Sequence, residues 1–249
     1  FMISLSPTPE EKARGALSSQ HLQTAVSALQ NDGFVILRDI VDKKHIRVLR
    51  DRMLTDLQAI LSRPDVPFNF TPGNLQQDPP PFHPFLFRDV LLNDLVIDIT
   101  HAILGDGVKN IMYSGNTALQ SELRQPVHPD IGQLWPNLQH ATPPTMFVVN
   151  VPLVNTDARN GSTEFWPGTH KDTRYVIGGS LRVSEEHVEE RRKLCPPFQA
   201  TLECGDAVIR DVRMWHAGMP NHTSQPRPMI AMIHAAHWWH EGDGPEFPR

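Results

Sequence analysis

Near residue 107 the chain changes character, and that change restricts its fold more than any other feature. Before it, apolar residues recur at helical spacing: Leu22, Val26 and Leu29 within residues 19–31, then Ile46, Leu49, Met53, Leu57 and Ile60 within 42–62. Asp42 suits the N-cap of the second helix, and DLVIDITHAIL (94–104) reads as a third, closed by Gly105-Asp106-Gly107. The run FVILRDI (34–40) reads as a short strand that follows the Asp32-Gly33 stop. After residue 107, segments 108–120, 145–155, 198–203, 206–213 and 227–238 are β-branched and aromatic, with Gly or Pro turns between them. Helices first and strands afterwards predict an α+β fold, mainly β, with an antiparallel sandwich or barrel.

The length of 249 residues fits one domain, 1–249, with a mostly helical part over 1–107 and a β core over 108–240. A hydrophobic share of 39% allows a sizeable core and excludes wholesale disorder. The net charge of −5 argues against nucleic acid as the main partner, because a duplex binder needs a basic surplus. No stretch is apolar for long enough to span a membrane. No signal peptide is evident, so an intracellular, cytoplasmic location is expected. Phe1 ahead of Met2 reads as a cloning remnant. Two cysteines, Cys195 and Cys204, are too few for a disulfide framework or an all-Cys zinc site. The expected partner is a small-molecule substrate, with a homodimer left open.

The 13 histidines call for a search for metal ligands. On a strand, residues i and i+2 face the same way, so His-x-Asp can aim two ligands into one cavity. A later His on a neighbouring strand completes a 2-His-1-carboxylate face, which suits Fe(II) and leaves positions open. With 28 acidic residues present, one or two His-x-Asp/Glu pairs arise by chance, and the chain has three: His128/Asp130, His170/Asp172 and His187/Glu189. His187 lies in the charged run SEEHVEERRK and His170 ends a Pro-Gly-Thr-His turn, so His128 has the best context. His216, His222, His234, His237 and His240 are candidates for the third ligand. His216 ends the strand in GDAVIRDVRMWHAG, and Arg227 follows eleven residues later. A guanidinium there could grip a carboxylate in bidentate fashion.

Taken in order, these pieces resemble the phytanoyl-CoA dioxygenase family of Fe(II)- and 2-oxoglutarate-dependent oxygenases. The likeness covers roughly residues 20–238. It rests on NDGFVILRDIVD (31–42), His128-x-Asp130, NGSTEFWPGTH (160–170), GDAVIRDVRMWHAG (205–218) and Arg227. The resemblance implies a double-stranded β-helix, or cupin-like jelly roll, with the N-terminal helices packed outside. It implies that His128, Asp130 and His216 bind iron and that Arg227 pairs with the far carboxylate of 2-oxoglutarate. Gln125 and Thr163 match family positions that hydrogen-bond the co-substrate. Related halogenases carry a small residue at the position of Asp130, so an aspartate there implies an oxygenase. The implied reaction uses O2 and 2-oxoglutarate to oxidise, most simply to hydroxylate, a C–H bond.

Residues 64–84 hold seven prolines, which excludes a helix or a central strand. A loop of that length in a compact domain is usually functional. With Phe68, Phe70, Phe82 and Phe85 it is expected to form a lid, plain core packing being the rival reading. Together with Trp135 these aromatics point to an apolar substrate such as a natural-product scaffold. An acyl-CoA is the alternative. Its phosphates could meet Lys43, Lys44, Arg47, Arg50 and Arg52, or Arg191, Arg192 and Lys193, but solvated helix faces are the plainer reading of both clusters. RGALSSQHL (14–22) approaches a peroxisomal nonapeptide, yet Gly15 stands where that signal wants Leu, Val or Ile. It is read as helix entry. Two further readings stay open: a non-catalytic jelly-roll partner subunit, and a cupin-like metalloenzyme that does not use 2-oxoglutarate.

Overall fold

Alternation along the strands decides the architecture. A computed structural model describes residues 3–240, so Phe1 and Met2 lie outside the described residues. Strands β1 (Ser4–Leu5), β2 (Phe34–Leu37), β3 (Asn74–Gln76), β4 (Lys109–Ala118) and β5 (Met146–Pro152) come first, followed by β6 (Glu164–Phe165), β7 (Phe198–Gln199), β8 (Ala207–Asp211), β9 (His216–Ala217) and β10 (Arg227–Ala235). They form a seven-stranded sheet, β1-β2-β8-β5-β10-β4-β3, and a three-stranded sheet, β7-β6-β9. All pairings are antiparallel except β1 with β2. The architecture is the jelly roll that the resemblance implied.

The helices are α1 (Pro9–Arg14), α2 (Ser19–Asn31), α3 (Lys43–Leu61), α4 (Arg88–Leu91), α5 (Asp94–Leu104) and α6 (Glu185–Leu194). The sequence anticipated α2, α3 and α5 to within a residue at each end. Asp42 caps α3 by accepting from the Lys44 amide. Leu29, Ile46, Leu49, Met53, Leu95 and Ile99 on these helices join Val35, Leu37, Phe147, Val149, Val151, Ile209, Ile230 and Met232 in the main core. Those strand residues are one face of the large sheet. The other face belongs to the cavity: Arg210 on β8, Val148 on β5, Ile233 on β10 and Met112 on β4 form one cross-strand row and all line it. A smaller core joins the sheets at the β8 end, where Phe34, Ile36 and Val208 meet Phe165, Ala200 and Leu202.

Residues 14–22 do enter a helix: Gly15 ends α1 with φ +69° and Ser18 caps α2. The proline-rich segment carries one element that its composition concealed. Strand β3 sits at the edge of the large sheet, the place where a strand tolerates prolines nearby. Gln77 pins its end, donating to the Met53 carbonyl at 2.6 Å and accepting from Thr117 Oγ1 at 2.6 Å.

Between β4 and β5 the chain takes a long path without helix or strand, held by Gln133. Its amide donates to the carbonyls of His170 and Asp172, and its backbone pairs with residues 175–177. At Gly132 the approach is close enough that a Cβ would lie 2.5 Å from Val176 Cα. Gly132→Ala is therefore expected to destabilise the protein by about 1–3 kcal/mol, as overpacking does. Urea unfolding measures this, and an unchanged midpoint would show that the segment relaxes freely.

Candidate metal centre and its cavity

The ordered path between β4 and β5 brings His128 beside β9. His128 and His216 exchange both backbone hydrogen bonds, at 3.0 and 2.9 Å, and the Asp130 amide donates to the Val212 carbonyl at 3.0 Å. These backbone bonds bring both His128 and Asp130, two residues apart, to the same side of the cavity. Their side chains meet His216, with one ligand atom from each residue within 4.8 Å of the others. Each histidine donates from Nδ1 to the carbonyl two residues earlier, His128 to Pro126 at 2.8 Å and His216 to Met214 at 3.1 Å. That fixes the tautomer and leaves both Nε2 atoms free to ligate.

The electrostatics suit the same use. Burial pushes the His128 pKa below its usual value and the His216 pKa well below, so both rings are neutral at pH 7. Burial alone would raise the Asp130 pKa, but the charge of Arg210, the largest opposing influence, more than offsets it, and the pKa is held at about 2. Asp130 is therefore ionised. Its Oδ2 lies 2.7 Å from Arg210 Nη1, off the hydrogen-bond axis, and its Oδ1 lies 3.5 Å from His216 Nε2. A third of the Asp130 side chain stays accessible, on the cavity side. Two neutral imidazoles and one carboxylate with an open side match the donor set of a 2-His-1-carboxylate iron site.

The cavity measures about 270 Å³ and runs from the triad to Arg227. Arg227 is 3% exposed. Its Nη2 donates to the Gly161 carbonyl at 2.6 Å, and Nε has no partner. Among the described residues no carboxylate pairs with it. Burial alone lowers its pKa, to about 10, which still leaves it charged at pH 7. A buried cation without a counter-ion is costly unless a ligand supplies the anion.

Gln125 and Thr163 also line the cavity. The Gln125 amide is engaged on both ends, accepting from the Gly218 amide at 2.7 Å and donating to the Asn69 carbonyl at 3.1 Å. It therefore ties the proline-rich segment to the site.

The other histidines are accounted for elsewhere. His170 Nε2 donates to the Gln30 carbonyl at 3.2 Å while Asp172 pairs with Arg174. His187 meets Tyr175 at 2.7 Å, and Glu189 pairs with Arg192. His222 meets Glu122, and His234 meets Thr100 on the outer side of the sheet. His237 and His240 are exposed. Within the basic clusters Lys43 pairs with Asp39, Arg50 with Asp51, Arg52 with Asp56 and Arg192 with Glu189, and Arg191 donates to the Pro167 carbonyl.

Sequence reasoning missed three contributors. Arg210 is a charged residue in the otherwise apolar run AVI, a signal that was there to be read. Asn74 and Asn116 line the cavity with Oδ1 atoms that are buried and unpaired. Phe70, expected in a lid or substrate rim, has its ring 4.4 Å from that of His128, on a backbone with φ +64°.

A jelly roll that gathers two histidines and a carboxylate at one end of a cavity is built like the cupin-fold oxygenases. The phytanoyl-CoA dioxygenase (PhyH) family profile matches residues 29–229, and the chain belongs to that family. Dioxygenase af480 from Aspergillus fumigatus is 25% identical over 209 residues, covering 82% of this chain. The chain spans only 63% of the length of that curated relative. Two solved structures share the fold. EctD from S. alaskensis, crystallised with 2-oxoglutarate and 5-hydroxyectoine, aligns with TM-score 0.65 at 17% identity over 94% of this chain and 82% of its own. AviO1 from Streptomyces viridochromogenes aligns with TM-score 0.60 at 20% identity over 93% of this chain and all of its own.

Proposed function

We propose that this protein is a non-haem Fe(II)/2-oxoglutarate-dependent dioxygenase that oxidises, most simply hydroxylates, a C–H bond of a small molecule, with residues 1–249 acting as one unit. The observation that carries the reading is Arg227: a buried guanidinium that no carboxylate among the described residues pairs with, facing the same cavity as the triad. His128, Asp130 and His216 would hold Fe(II), and Arg227 would take the far carboxylate of 2-oxoglutarate beside Thr163 and Gln125. When bound, iron and 2-oxoglutarate supply the oxidising power from O2. The chain's own part is orientation and exclusion of water. The Nδ1 bonds aim the imidazoles, Arg227 fixes one end of the co-substrate, and the inner face of the large sheet shapes the space left for the substrate. An inward Arg227 counts against a cupin-like metalloenzyme without 2-oxoglutarate, and the assembled site counts against a non-catalytic partner subunit.

The substrate reading shifts from apolar toward mixed. Met112, Val148 and Ile233 give the cavity an apolar end, whereas Asn74, Asn116 and Asn150 offer amides to a ligand's polar groups. We read the substrate as a functionalised small molecule that carries hydrogen-bond donors. EctD, holding a hydroxylated small molecule in the same fold, is consistent with that. Anaerobic titration of the protein with Fe(II) and 2-oxoglutarate tests the cofactor reading through its visible charge-transfer band. A screen in air then follows succinate. Absence of metal-dependent 2-oxoglutarate binding would refute it.

The lid expectation divides along the loop. Phe82 and Phe85 pack against Arg52 of α3, at 5.3 and 5.2 Å, whereas Phe68 and Phe70 are exposed and the Phe70 ring lies 4.4 Å from that of His128. We propose that the tip around Phe70 covers the site mouth. Phe70→Ala is expected to leave thermal stability nearly unchanged while more 2-oxoglutarate is consumed per product formed. A loss of several kcal/mol in stability would instead mark Phe70 as core packing.

A further inference from the structure

We propose that Arg210 is a positioning residue that restricts Asp130 to a single metal-ligating oxygen. The proposal rests on reading the triad as the iron site and adds a role for a residue outside it. Arg210 lies on the cavity face of β8, its side chain 6% exposed. Its Nε donates to Asn150 Oδ1 at 3.3 Å on neighbouring β5, which anchors the guanidinium to the sheet. From there Nη1 reaches Asp130 Oδ2 at 2.7 Å. The other oxygen, Oδ1, is the one near His216 Nε2. The two oxygens of Asp130 therefore face different partners: one the triad interior, the other a fixed cation.

A carboxylate can give a metal one oxygen or two. In an octahedral site with two histidines, the second oxygen would take a position that a chelating keto acid or O2 needs. A guanidinium holding Oδ2 keeps that position open. The same cation, close to the metal, also repels it. These two effects act in opposite directions on the two ligands. Without Arg210 the site should take a divalent metal more tightly and 2-oxoglutarate more weakly. A residue with a merely structural role would weaken both when removed.

The test uses the full chain as wild type, Arg210→Met and Arg210→Lys, titrated without oxygen first with Co(II) and then with 2-oxoglutarate. Binding is read from the cobalt absorption bands, and thermal unfolding is recorded for each variant. Arg210→Met is expected to bind Co(II) severalfold more tightly. It should bind 2-oxoglutarate about 10-fold more weakly, a penalty of about 1.4 kcal/mol for displacing the second Asp130 oxygen. Arg210→Lys, which keeps the charge, is expected to recover most of the cobalt effect. Both affinities falling together, with or without a lower unfolding temperature, would overturn the proposal, as would unchanged affinities. Failure of the wild type to bind Co(II) would instead remove the triad reading, and this proposal with it. Wild-type binding with the wrong pattern in the variants removes the proposal alone.

Discussion

Replacing His128 by alanine is expected to abolish stoichiometric metal binding while the protein stays folded. The remaining pair, Asp130 and His216, leaves the metal with two protein ligands. Losing a hydrogen-bond partner that orients a ligating imidazole weakens metal sites by about 10- to 100-fold, and losing the ligand itself should exceed that. The fold has little reason to fail. The hydrogen bonds between His128 and His216 are made by backbone, and alanine keeps them. Metal content by elemental analysis should fall from near one per chain to near zero. Circular dichroism should not change, and any rise in unfolding temperature on adding Fe(II) or Co(II) should disappear. A variant that holds metal as well as the wild type would place the site elsewhere, with His170/Asp172 and His187/Glu189 next in line.

Arg227→Met is expected to weaken 2-oxoglutarate binding without harming the empty protein. Truncating one partner of a buried charge pair costs about 2–5 kcal/mol. At 1.4 kcal/mol per tenfold that is roughly 30-fold to several thousandfold in affinity. The effect on the empty protein should have the opposite sign. Arg227 is buried with Nε unpaired and, among the described residues, no carboxylate beside it, so an apolar side chain of similar length removes an uncompensated charge. The unfolding temperature of the apo-protein should hold or rise. Thermal stabilisation by 2-oxoglutarate, measured with metal present, should be lost. Unchanged affinity in this variant would detach Arg227 from the co-substrate.

Much of this molecule was open to reading along the chain. Helical spacing placed α2, α3 and α5 because each buries one stripe, and burial of a stripe leaves a periodic trace in the sequence. The central strands were found for a related reason: β5 and β8 are buried on both faces and show as apolar runs. The metal candidates followed from the geometry of extended chain, since residues i and i+2 share a face wherever the chain is extended, strand or not. The short elements β1, β6, β7 and β9 went unseen or overlong. A two-residue strand is fixed by its partner across the sheet and carries no period of its own.

What the sequence by itself determined is the order of elements, the apolar faces and a short set of histidines and acids able to ligate. The tertiary structure chose among them, because choice depends on residues far apart in the chain. His128 meets His216 only through backbone pairing across 88 positions, whereas His170 and His187 find their partners in other neighbourhoods. Strand pairing also turned Arg210 from a charge in an apolar run into the neighbour of Asp130, and left Arg227 in a cavity without a counter-ion among the described residues. Hydrophobic pattern is local and survives in the sequence. A charge takes its meaning from what stands opposite it, and only the folded chain decides that.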